Sequence, residues 1–144
     1  MGFFNRLFGG QEELPELDAA NPVARRLEEV KPALEDLAKR VRDPLEVVPC
    51  PHGTFVFIGK PRKRFGAAWV EGGKVKNLRQ FAEEHHIPSD RLGSLVEALQ
   101  KLYEHEAMKV PRYVTRVAER TVVVDASEEL GRKVEQMLQQ TATH

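Results

Sequence analysis

Cysteine is nearly absent from this chain: Cys50 stands alone in 144 residues, which excludes an internal disulfide framework and fits a reducing compartment, so a cytoplasmic location is expected. No run approaches the ~18 consecutive apolar residues that a spanning helix needs. Net charge is absent too, with 22 Lys plus Arg against 22 Asp plus Glu, so no global field draws the protein toward nucleic acid or membrane. The G-x-x-x-x-G-K-[ST] pattern of a phosphate-binding loop is missing, as are paired ligands at zinc spacing, and no cofactor is implied. Cys50, His52, His85, His86 and His105 are the candidates for metal or nucleophilic chemistry. Their spacing demands neither, and a non-enzymatic role is expected.

What is present is ordinary globular composition, 41% apolar and 31% charged, enough for one domain with a real core. Charge is segregated locally. From Lys60 to Arg79 there are seven cations and one acid, Glu71, whereas Gln80 to Met108 holds six acids against Arg91 and Lys101.

The chain opens on Phe3, Phe4, Leu7 and Phe8 along one helical face, stopped by Gly9-Gly10. This turn suits a membrane surface or a groove on a protein partner, and a frayed or folded-back terminus is the alternative. With the acidic stretch around Pro15, residues 1–20 read as a flexible arm, and residues 21–144 as one domain. Asn21-Pro22 starts a helix, an N-cap followed by proline where its missing N–H costs nothing. Val23, Leu27, Val30, Leu34, Leu37 and Val41 recur in steps of four and three, forming one stripe. Pro32 is expected to kink or split that helix.

From Leu45 the pattern becomes β. Runs at 45–48, 54–58, 66–70 and 74–76, separated by Gly- and Pro-rich connections, predict a meander. Asn77 caps a helix to about His86, and Pro88-Ser89-Asp90 begins another to about His105. Residues 112–117 and 121–125 read as a hairpin, and Ser127 caps a final helix through about Gln140. The fold class expected is α+β: a single antiparallel or mixed sheet, made of the meander plus the C-terminal hairpin, packed with about four helices on one side.

Two elements suggest function. The first is the cationic connection at Lys60, Arg62, Lys63 and Arg64, which suits phosphate contact, with a plain solvated turn as the alternative. The second is the helix pair at 78–98, with Phe81 and Ala82 in its first helix, Ile87 after the turn, and Leu92 and Leu95 in the second. Together with the hairpin that follows, residues 78–125 resemble a helix-turn-helix or winged-helix segment. That resemblance implies DNA contact by the second helix, where Arg91 is the cation; Arg112, Arg116 and Arg120 of the later hairpin are expected to add to the face of the cationic connection at 60–64. An ordinary helical corner is the alternative. His86 occupies the turn position where glycine is usual and must therefore accept a left-handed backbone or shift the turn. The function expected is a binding or regulatory module for nucleic acid; a protein-interaction adaptor or peripheral membrane protein recruited by residues 1–10 is the second reading.

Overall fold

The structure is a computed structural model that describes residues 14–60 and 64–143. Its elements in chain order are α1 (Pro22–Arg40), β1 (Leu45–Cys50), β2 (Gly53–Lys60), β3 (Arg64–Glu71), β4 (Lys74–Asn77), α2 (Leu78–Glu84), α3 (Ser89–Glu106), β5 (Arg112–Val117), β6 (Arg120–Asp125) and α4 (Glu128–Ala142), with a 3-10 turn at Ala107–Lys109 after α3. The fold is α+β, one open six-stranded mixed sheet with four helices. Strand order is β4-β3-β2-β1-β6-β5. The meander β1 to β4 is antiparallel throughout, as is the β5–β6 hairpin, and the two join where β1 and β6 run parallel, with Glu46 opposite Val123 and Val47 opposite Val124.

Helices cover both faces of this sheet, which corrects the one-sided expectation. The reason lies in β1, all six residues of which are buried. Leu45 and Val47 pack against α1 through Leu27, Leu34 and Leu37, while Val48 and Cys50 face Phe81 of α2, Leu95 and Leu99 of α3, and Leu130 and Val134 of α4. A strand apolar on both sides needs a layer on each. Phe55, Phe57 and Trp69 fill the three-helix side, with the rings of Phe57 and Tyr103 edge to face at 4.9 Å between centroids.

Local signals act as the residue types predict. Asn21 accepts from the Val23 amide, Asn77 and Gln80 form a reciprocal capping box, and Ser127 accepts from Leu130. Pro32 does not split α1, which runs as one helix from Pro22 to Arg40. That proline is solvent-exposed, so water replaces the hydrogen bond it removes. The acidic stretch before α1 is also partly committed: Pro15 and Leu17 exchange backbone hydrogen bonds with Val114, laying residues 15–17 along the free edge of β5.

Two positions hold unusual backbone. In α4, a Cβ on Gly131 would lie 2.1 Å from the Pro49 carbonyl oxygen, so only glycine lets the helix sit this close to β1. In the two-residue β5–β6 turn, Ala118 and Glu119 both take positive φ, 51° and 65°, which side chains other than those of Gly, Asn and Asp resist.

Gly131→Ala is expected to lower unfolding free energy by about 1–3 kcal/mol in chemical denaturation, because α4 must move off β1. Glu119→Gly should act in the opposite sense and raise it by about 1 kcal/mol, since the turn loses its left-handed penalty.

Candidate functional site

The sheet topology gathers cations at one end. β1 rises from Leu45, β6 rises beside it from Arg120, and β2 descends to Lys60, so the end of β2, the α1–β1 connection and the β5–β6 turn lie at one end of the sheet. The Gly59 amide donates to the Pro44 carbonyl at 2.8 Å, tying the first two together. Arg120 ties the third: its guanidinium donates to the carbonyls of Ala38 at 3.1 Å and Asp43 at 2.7 Å, and to that of Val41, closing the C-terminus of α1. Around this knot lie Lys39, Arg40, Arg42 and Arg116, all exposed, with Asp36, Asp43 and Glu119 as the acids nearby. Arg40 pairs with Asp36 at 2.9 Å, an exposed contact that restrains it weakly. Arg116 bonds only the Glu119 carbonyl and leaves its charge in solvent.

Lys60 and Arg64 are backbone partners at the end of the β2–β3 ladder. Arg62 and Lys63 lie outside the described residues, as do Phe3, Phe4, Leu7 and Phe8. Lys39, Arg40 and Arg42 are additions that the sequence reading missed. Their signal was a Lys-Arg-Val-Arg run at a helix C-terminus, where cations are unremarkable because they complement the helix dipole.

The helix pair lies elsewhere. α2 ends in a Schellman turn, with Ile87 N–H donating to Ala82 and His86 N–H to Glu83, and His86 takes φ 53°. The left-handed residue expected there is therefore present. However, His85 borders the same pocket as His52 of the β1–β2 turn, which puts the start of α3 at the end of the sheet opposite Lys60. The face of α3 near its start offers Ser89, Asp90, Arg91, Ser94 and Glu97, with Arg91 half-buried. The hairpin that follows is built into the sheet, β6 lying between β1 and β5.

Arg112, grouped from sequence with the surface cations, instead turns inward. Its Nε and Nη2 donate to Glu46 at 3.1 and 2.8 Å, and Tyr103 donates to the same carboxylate at 2.9 Å. Only 10% of the Arg112 side chain is exposed, so this cation answers an internal charge rather than an external phosphate. Asp125, opposite Arg112 in the hairpin register, completes the cluster, with its Oδ1 3.6 Å from the Arg112 Nε. Burial, then the Glu46 charge, pushes the Asp125 carboxyl well above the ordinary carboxylate range. The Arg112 guanidinium thus lies against both Glu46 and Asp125, and burial pushes the Tyr103 hydroxyl upward.

Cys50 and the histidines form no ligand set. Burial, reinforced by Glu135, raises the Cys50 thiol to about 12, and its Sγ meets the Val48 carbonyl at 3.4 Å, so it holds no thiolate at neutral pH. Among the described residues no three His, Cys, Asp or Glu side chains group to hold a metal ion, and no helix is long and apolar enough to cross a membrane. No family model, curated protein or solved structure matches this chain.

The raised Asp125 carboxyl makes stability pH-dependent in a definite sense. Its folded titration lies above the unfolded one, so its contribution is complete below the unfolded carboxyl range and is lost as pH rises through the folded value. Urea unfolding from pH 4 upward should show wild type losing up to about 1.4 kcal/mol per pH unit relative to Asp125→Asn, whose amide does not titrate. Parallel pH profiles would show that Asp125 folds ionised.

Proposed function

We propose that this protein binds nucleic acid through the basic end of its sheet, gripping the phosphate backbone. The observation that carries the reading is the strand order that puts residues 39–42, the strand ends at Lys60 and Arg64, and residues 116–120 at one end of the sheet, in a chain of zero net charge. A neutral protein that concentrates exposed Lys and Arg at one end makes a local potential there without any global field. The supports are tied: Arg120 binds the β5–β6 turn to the end of α1, the Gly59 amide binds the end of β2 to Pro44, and the sheet sets their spacing.

The chemistry is that of backbone recognition. Lys39, Arg40, Arg42 and Arg116 supply charge and hydrogen-bond donors, and the residues of the β2–β3 connection add theirs. No helix of the described residues starts at this end to enter a groove, which favours sequence-tolerant binding over base reading. The helix pair at α2 and α3 is then a packing element of the three-helix face. Action in a reducing, cytoplasmic compartment accords with a free, buried Cys50. An adaptor role for residues 1–10 has no support within the described residues.

Affinity for a duplex or single-stranded oligonucleotide should fall steeply with salt, and Arg42→Ala with Arg116→Ala should weaken it for every sequence and reduce the logarithmic salt slope by about 2. The measurement is fluorescence anisotropy across 50–300 mM salt. Binding that is undetectable at low salt, or unchanged in slope in the double variant, would remove the proposal.

A further inference from the structure

The end of the sheet opposite the basic connections carries a separate pocket, of about 170 Å³, set between the β1–β2 turn, β3, α2 and α4. Its defining group is a histidine held by a buried carboxylate. Glu135 projects from α4 and is only 6% exposed. Its Oε1 accepts the backbone N–H of His52 at 2.9 Å, and its Oε2 meets the His52 Nδ1 at 2.5 Å and the Gln139 amide at 3.3 Å. One carboxylate thus fixes both the main chain and the ring of one turn residue.

That grip orients the ring. With Nδ1 against the carboxylate, a neutral imidazole donates from Nδ1 and keeps a lone pair on Nε2. The imidazole is 76% exposed, and among the described residues Nε2 meets no partner. Trp69, Phe81, Leu138 and Ala142 give apolar walls, the His85 ring lies against Phe81 at 4.6 Å between centroids, and the Gln139 amide is turned to Glu135. Glu71 gives a second carboxylate, one oxygen of which accepts the Trp69 indole N–H at 3.0 Å. Because the indole donor is spent on Glu71, the pocket offers acceptors and negative charge against aromatic surface. A ligand that satisfies it brings donors, positive charge and a flat apolar body.

We infer that this pocket is a binding site for a small aromatic amine, with the ammonium shared between His52 Nε2 and Glu71 and the ring against Trp69 and Phe81. The volume accommodates one ring and a short arm, and an ammonium near an indole gains from the ring quadrupole as well as from the carboxylate. Glu135 is a positioning residue: it touches His52 and holds it in the accepting tautomer. A carboxylate ligand of the same shape meets Glu71 and the lone pair of Nε2 with like polarity and is rejected.

The test is a titration followed by amide and indole NMR, using benzylamine, with benzoate as the shape-matched anion. Benzylamine should move the signals of His52, Trp69, Phe81 and Leu138 in a saturable way, and benzoate should not. His52→Ala and Glu71→Gln, both at exposed positions, should each weaken benzylamine at least tenfold while leaving the remaining spectrum in place. Imidazole ¹⁵N spectra of wild type should show a protonated Nδ1 and a pyridine-type Nε2. Equal response to benzoate, shifts scattered away from the pocket, affinity indifferent to both substitutions, or the opposite tautomer would each overturn the assignment. Oligonucleotide binding at the far end is read separately and does not bear on this outcome.

Discussion

Everything in this fold hangs on the parallel pairing of β1 with β6. It joins a meander to a hairpin from which helices α2 and α3 separate it in the chain, and it places β1 in the middle of the sheet with both faces buried. Two layers of helices follow from that burial. The cost of a central parallel contact is loop closure over a long stretch of chain, offset here by dense apolar packing from Val47, Val48, Val122 and Val124, all at 0–1% exposure. The same pairing brings Glu46 beside Val123, within reach of Arg112 and Asp125. The polar cluster is therefore a product of register. It tolerates burial because the Arg112 guanidinium lies against both carboxyl groups and burial favours the uncharged form of Asp125.

Much of the architecture was legible in residue types. Asn21, Asn77 and Ser127 mark helix starts, the Gly- and Pro-rich segments mark turns, and of the two outcomes open to His86, a left-handed backbone or a shifted turn, the chain takes the first. Those signals are local, and local rules govern them. What failed to show was which side of the sheet each helix takes. The stripe on α1 announces that it is buried without saying against what, and only the apolar residues on both faces of β1 hinted at a second layer.

The sites were less legible for a related reason. Lys39, Arg42, Lys60 and Arg116 come together only through strand order, which no window of sequence contains. His52 and Glu135 are 83 positions apart. A faint signal existed in each buried acid: Glu46 interrupts the apolar run from Leu45 to Val48, Asp125 ends three consecutive valines, and Glu135 sits one turn from both Gly131 and Leu138 on the packed side of α4. An acid where the pattern calls for an apolar residue has a partner elsewhere, and finding the partner needs the fold. Arg112 shows the converse, a cation counted with the surface until its acid was located.

The segment laid against β5 has a consequence for how the chain behaves among its own copies. The sheet is open, and β4 blunts one edge by being four residues long with Lys74 and Lys76 on it. At the other edge, Pro15 and Leu17 occupy both backbone groups of Val114. Two hydrogen bonds are a slight hold, but the segment is tethered just ahead of α1, and a short tether presents it at an effective concentration on the order of millimolar. A strand from another molecule, at micromolar concentration, competes at roughly a thousandfold disadvantage for the same groups. The chain thus supplies its own occupant for the edge where strand-to-strand association would begin.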